Sequence, residues 1–389
     1  MDFGRIWAEI DLDALNHNLD QVRGFSQGRK LMFAVKADAY GHGLNAIAGE
    51  VADKVDAFGV AGVEEGKSLR RSGIEDTPII VLSPVPYDEV PDLFEHDLTP
   101  SVTEPEFARL LSNEAENRGK PLPVHVEVDT GMGRTGVSVE EALMFITNVA
   151  EMPGLRLEGV FTHFPAADTD IPYTEDQLSG FTLLFARLEQ DGFGHVLRHA
   201  ANSAGLMNLP HSHLDMIRPG LIVYGILPPS YDAGERDTDL DLSPVMSLRT
   251  RIVNLRDIPA GHSVSYDRSY FTRHDSRIAV VAAGYGDGYP WSLTNKGQAI
   301  VRGERVPIVG NVCMDLTMLD VTGHECAIGD PVTLMGRDDE AVITTNEIAG
   351  WAGTIPYEII CRVSPRVPRI YIRNNEVVKV RNMLNRDES

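Results

Sequence analysis

A chain of 389 residues with a 43% hydrophobic composition can bury a large core and is too long for one typical domain, so two domains are expected. Its 35 basic and 57 acidic residues leave a formal charge of −22, dispersed along the chain. Such a surface repels phosphate backbones and anionic lipid, which argues against nucleic-acid and membrane-surface roles.

The chain opens with a strand-like "RIWAEID", followed over 12–25 by apolar residues at helical spacing. Short apolar runs then recur at "LMFAV", "AFGVAG", "PIIVLS", "LTPSV", "VHVEV", "LEGVFTHF", "VLRHAAN" and "LIVYGI". Segments of helical composition lie between most of them, at 63–72, 104–118, 139–150 and 174–190. Eight strand candidates alternating with helices predict a parallel sheet covered on both faces, best satisfied by an N-terminal (β/α)8 TIM-type barrel, with a doubly wound open sheet as the alternative. At 227–245 the composition shifts to Pro, Gly and Asp, as in a linker. Beyond it, short β-rich runs such as "RIAVVAAG", "DLTMLDVT" and "RVPRIYIR", interrupted by one helix candidate at 345–351, predict a mainly antiparallel β domain. The expected division is 1–235 and 236–389, with the first strand, about 5–11, joining the β domain.

No apolar run approaches the roughly 20 residues of a membrane helix. The N-terminus lacks the basic-then-apolar order of a signal peptide. Cys313, Cys326 and Cys361 form neither a disulfide framework nor a zinc pattern. A cytoplasmic protein is the consistent expectation.

Several polar groups fall where barrel strands should end, which is where barrel active sites open. Lys36 directly follows the buried run "LMFAV", with Tyr40 and a Gly-containing turn just after it. Burying an ammonium is costly and lowers its pKa, favouring the neutral amine that attacks carbonyls, although a lysine at a strand end can also simply reach solvent. "EVDTGMGRTG" ends another strand and carries Arg134, whose planar fork suits a carboxylate or phenolate oxygen. His163 in "FTHFPAAD", Ser203 in "HAANSAGL", and Arg218 and Gly220 in "DMIRPGLIVYG" fall at three more. A hydroxyl, backbone N–H groups and a helix start together suit a phosphate dianion.

Taken together, "FAVKADAYGHG", "DTGMGRTG", "THF", "ANSAG", "IRPGLIVYG", "VSYD", "GYGDGY", "VGNVCMD" and "IPYEIICRVSPRVPRIY" resemble the alanine racemase family, in the family's order and over nearly the whole chain. The resemblance implies fold type III, a pyridoxal 5'-phosphate cofactor held by Lys36 as a Schiff base, and D-alanine supply for peptidoglycan. It implies that Tyr40, Ser203, Gly220, Leu221 and Tyr357 surround the phosphate. Arg218 would face the pyridine nitrogen, and Arg134 the phenolic oxygen and substrate carboxylate. Tyr266 would be the second acid/base, preferred over nearby Tyr270 because it occupies the "VSY" position. Met314 would meet the substrate through its backbone, with Tyr285, Cys313 and Asp315 close by. The resemblance further implies a homodimer in which Tyr266, Tyr285 and Met314 reach the other subunit's cofactor.

Racemisation removes a proton from one face of a carbon and returns one to the other, so two bases on opposite faces, Lys36 and Tyr266, are the simplest solution. A tyrosine near its reference pKa of about 10 is a poor base at neutrality, and Arg218 acting through His163 is the candidate for the positive influence it needs. Because arginine does not give up its proton, Arg218 should leave the pyridine nitrogen largely unprotonated and so suppress transamination. Many family members carry a carbamylated lysine where this chain has Glu127. Glu127 is therefore expected to orient Arg134, directly or through water, without dependence on bicarbonate.

Competing readings are a broad-specificity or serine/lysine racemase of the same fold, a non-catalytic pyridoxal-phosphate carrier, and a decarboxylase of the same two-domain plan. The β domain and "VSYD" argue against the last two. His42 is expected to be a loop contact. His195, His199, His211 and His213 match a metal set in number but not in spacing, and no metal is expected.

Overall fold

The computed structural model describes residues 3–232 and 238–382; the expected domain boundary at 235/236 lies outside the described residues. Strand β1 (Ile6–Asp11) leads directly into the helix Leu12–Phe25. The Asp11 carboxylate caps that helix by accepting from Ala14 N at 2.9 Å, and Leu12, Leu15, Leu19 and Val22 form its buried stripe.

Among the described residues nine strands then follow in the barrel: β2 (Lys30–Ala34), β3 (Ala57–Val60), β4 (Ile79–Val81), β5 (Thr99–Val102), β6 (Leu122–Asp129), the two-residue β7 (Val137–Ser138), β8 (Leu155–Phe161), β9 (Leu197–His199) and β10 (Met216–Ile217). All pair in parallel, in the order β10-β2-β3-β4-β5-β6-β8-β9, with β7 attached to the end of β6. The ends approach one another: Asp215 N donates to Arg198 O at 3.1 Å and Arg218 N to Ala201 O at 2.8 Å. An eight-stranded, nearly closed barrel results, and the open doubly wound sheet is excluded.

One expected strand is something else. The run "LIVYGI" forms a 3-10 turn over Leu221–Tyr224, ended by Gly225 at φ 76°, and the eighth strand is the shorter Met216–Ile217. Every residue of the turn is buried, so periodicity could not separate it from an interior strand. The edge beside β2 is already taken by Met216 and Ile217, opposite Lys30 and Leu31. The turn packs instead against the first helix, where Asn18 Nδ2 donates to Val223 O at 3.1 Å. The helices Leu44–Val51, Val90–Glu95 and Pro356–Cys361 were not anticipated, and the helix expected over 174–190 begins earlier, spanning Ile171–Gln190.

The second sheet is built around β11 (Met246–Ile258), which pairs antiparallel with β1, with Ser276–Val281 and with Pro331–Asp338. β1 also lies parallel to Arg369–Arg373. The N-terminal strand thus sits inside this sheet, flanked by residues more than 230 positions away.

Candidate active site

The C-terminal strand ends of the barrel surround a cavity of about 490 Å³ lined by Lys36, Tyr40, Arg134, His163, Ser203, Arg218, Gly220, Leu221 and Tyr357, together with Cys361 and Asn202. That size suits a small-molecule site. Lys36 follows β2 and opens a stretch in which Ala37, Asp38, Ala39 and Tyr40 all adopt left-handed backbone, with φ from 51° to 56°. Such a conformation costs non-glycine residues roughly 1–2 kcal/mol each. Ala39 N donates to Val35 O at 2.8 Å and Gly41 N to Ala37 O at 2.9 Å, and the Asp38 carboxylate accepts from Leu44 N and from Arg381. Burial lowers the Lys36 pKa, and the charges of Arg134 and Arg218 lower it further.

Arg134 rides on the loop after β6. Asp129 folds that loop by accepting from Gly131 N and Gly133 N, and Tyr173 Oη donates to Gly131 O at 2.8 Å. Glu127, 2% exposed, accepts from Thr135 Oγ1 at 2.8 Å. Burial raises its pKa, opposed by that hydroxyl and then by Arg134 and Arg218. Among the described residues no ion pair joins Glu127 to Arg134, so the direct arm of the expected contact is absent.

Arg218 lies at the end of β10, inside the barrel. Its Nη2 donates to Thr162 O at 2.7 Å and more distantly to His163 Nδ1 at 3.4 Å, and its Nη1 donates to His199 Nδ1 at 3.0 Å. Burial pushes its pKa down to about 10, which still leaves it cationic at neutrality. His163 is pushed down to about 3, first by burial and then by Arg218, Arg134 and Lys36, and is neutral. Burial raises the Tyr40 phenol well above its usual range and Tyr357 to about 12, so both keep their protons as donors. Ser203 Oγ accepts from Gly220 N at 3.1 Å.

The remaining sequence candidates assemble elsewhere. Tyr266 stands on a turn fixed by Asn311: Ser265 Oγ donates to Asn311 O at 2.8 Å and Ser269 Oγ to Asn311 Oδ1 at 2.6 Å. Two residues along the same segment, Cys313 accepts at its carbonyl from Tyr285 N, and Met314 O accepts from Gly286 N at 2.9 Å. Asp315 pairs with Arg366, which also holds buried Asp287. Tyr266, Tyr285 and Met314 are exposed, at 71%, 42% and 54%, and none lines the barrel cavity. Sequence reasoning therefore named two half-sites, which one chain keeps apart. It missed Cys361, Arg366 and the inward role of His199; Cys361 arrives on the short helix Pro356–Cys361, for which it saw no periodic signal.

A parallel barrel whose cavity is lined by a desolvated lysine and two arginines, with a β domain carrying a separate tyrosine turn, has the architecture of a two-domain (β/α)8-barrel enzyme. The comparisons narrow the class. Residues 10–228 match the family model "Alanine racemase, N-terminal domain" and residues 245–371 "Alanine racemase, C-terminal domain". The alanine racemase of Clostridium novyi is 39% identical, over 97% of this chain and 98% of its own length. That of Desulfovibrio desulfuricans is 41% identical, over 94% and 98%. The solved structure of the Bacillus anthracis alanine racemase with bound L-Ala-P is 33% identical, covers 99% of this chain and 100% of its own, and superposes with a TM-score of 0.89. The chain belongs to the alanine racemase family, whose members are pyridoxal-phosphate-dependent isomerases.

Proposed function

We propose that this chain interconverts L-alanine and D-alanine by a two-base mechanism, in a homodimer whose half-sites come from different protomers. The observation that carries it is the split: the lysine and both arginines line the barrel cavity, while the tyrosine and methionine stand exposed on the β domain. Exposed aromatic and apolar side chains in register with site motifs are what an interface buries.

The cavity fits pyridoxal 5'-phosphate. A Cβ at Gly220 would stand 2.7 Å from Tyr40 Oη, so only glycine leaves that corner open. The hydroxyl donors lining that part of the cavity, Tyr40, Tyr357 and Ser203, suit a phosphate dianion, and Arg218 on the cavity wall suits an unprotonated ring nitrogen. When bound, the cofactor supplies the electron sink that acidifies the substrate's α-C–H.

The chain's own residues do the rest. The Lys36 Nζ, kept neutral more readily by burial and by two arginines, takes or returns a proton on one face. Tyr266 of the partner subunit does the same on the other face. Arg134 forms no hydrogen bond or ion pair with other described residues, which leaves its fork available to a substrate carboxylate. The partner subunit's Met314 closes the pocket and, with Tyr285, limits the side chain that fits. The product suits cell-wall peptidoglycan supply. Among the described residues, no helix is long and apolar enough to cross a membrane.

The test is borohydride reduction of the holoenzyme followed by peptide mapping, with L-to-D conversion measured on alanine beside serine and lysine. Label on Lys36 with alanine converted fastest supports the reading. Label on another residue, or conversion of serine or lysine in preference to alanine, overturns it.

A further inference from the structure

A guanidinium has donors only, and this decides the protonation of two histidines inside the barrel. Arg218 Nη1 donates to His199 Nδ1 at 3.0 Å, so that nitrogen carries a lone pair and the neutral ring carries its proton on Nε2. His199 Nε2 lies 2.8 Å from His125 Nδ1, so His199 is the donor and His125 the acceptor. His125 in turn holds its own proton on Nε2. Both rings are buried, and burial together with the Arg218 charge pushes His125 down to about 3 and His199 well below its usual range, which keeps them neutral. The His199 ring also stacks on Phe161, 4.9 Å between centroids and 15° from parallel, and Arg218 lies over the Phe161 ring at 5.2 Å.

The backbone makes room for this arrangement. His125 on β6 is paired in register with Gly159 on β8, just past a register shift at Val124. A Cβ at Gly159 would come within 2.5 Å of both Nδ1 and Cε1 of the His125 ring. No real Cβ tolerates such an approach, so the glycine is what lets the imidazole lie there.

We infer that His125 is a positioning residue for Arg218: by accepting from His199 Nε2 it turns the His199 lone pair toward the guanidinium, and so fixes the plane Arg218 presents to the cavity. The inference rests on the reading above for its consequence, that Arg218 faces the cofactor's ring nitrogen. Without His125, the His199 proton is free to sit on Nδ1, where it meets an Arg218 N–H donor to donor. Arg218 then turns away, and the ring nitrogen loses its defined neighbour.

Two measurements test this. In long-range ¹H–¹⁵N spectra of cofactor-free protein labelled at histidine, His125 and His199 should both appear as Nε2–H tautomers; His199 protonated on Nδ1 overturns the inference outright. In the holoenzyme, His125→Leu should shift the cofactor absorption band and raise pyruvate and pyridoxamine phosphate formed per racemisation about tenfold, the worth of one buried hydrogen bond. His125→Asn, whose Oδ1 takes the place of Nδ1, should restore both readouts. A wild-type band and side-reaction ratio in His125→Leu, or no rescue by asparagine, overturns the inference. Should His125→Leu fail to fold, Gly159→Ala displaces the ring without altering any histidine and is read the same way. If the wild-type protein does not racemise alanine, the functional reading fails while the tautomer measurement still decides the relay.

Discussion

At the scale of single residues, the site is governed by which charges stay fixed. Arg218 is surrounded by acceptors, the Thr162 carbonyl and two neutral imidazoles, and among the described residues no carboxylate hydrogen-bonds or pairs with it. Arg218→Glu places a carboxyl group where a protonated ring nitrogen would be favoured, and should raise pyruvate and pyridoxamine phosphate per racemisation by about tenfold or more; an unchanged ratio would refute the role given to Arg218. The Glu127 carboxyl group is held by Thr135 rather than by Arg134. Added bicarbonate should leave the rate unchanged, and a strong rate increase would show that another anion is needed beside Arg134. The motifs named these residue types, but the contact between Glu127 and Thr135, eight positions apart, was visible only in the folded loop.

At the scale of elements, the segment after Lys36 shows how local strain is held in place. Four consecutive left-handed residues persist because the Asp38 carboxylate ties the turn forward to Leu44 N, at the start of the following helix, and across to Arg381 in the β domain. Asp38→Ala removes both ties. It should cost the cofactor-free protein about 1–2 kcal/mol in urea unfolding and weaken cofactor binding; equal stability and affinity would show that packing alone holds the turn. The sequence announced a Gly-containing turn after Lys36 but not its left-handed backbone, and the 3-10 segment Leu221–Tyr224 was not legible. "KADAY" has the composition of an ordinary helix, and "LIVYG" that of an interior strand. Backbone handedness and strand competition override composition at both places.

At the scale of the whole molecule, two expectations follow. If each site joins Lys36 of one protomer to Tyr266 of the partner subunit, Lys36→Ala and Tyr266→Phe should each be inactive alone. Random reassortment of the two should recover about a quarter of wild-type activity, because half the dimers are mixed and each has one intact site. No recovery despite proven exchange would place both bases in one protomer. The second expectation concerns acid. His42, His125 and His199 are buried and neutral, with His42 held down to about 4, His125 to about 3 and His199 well below its usual range. Their folded pKa values lie below the unfolded value of about 6.5, so unfolding takes up protons, and the stability they confer is present above that value and lost as pH falls through the folded ones. Near pH 5 these three rings should together contribute about 4 kcal/mol per pH unit to the fall in unfolding free energy of the cofactor-free protein, and His163, also held down to about 3, adds to it. A flat profile between pH 6.5 and 5 would contradict the burial of these rings.

The βα alternation, the β-rich C-terminal texture and the polar groups at strand ends were all present in the linear chain, because side-chain periodicity and strand-end chemistry are local properties. Hydrogen-bond partners are not local. The barrel's near closure through Arg198 and Ala201, the insertion of β1 between strands more than 230 residues away, the separation of Tyr266 from Lys36, and the His125–His199–Arg218 chain each depend on which surfaces compete for the same edge or interior space. Only the folded chain decides that competition.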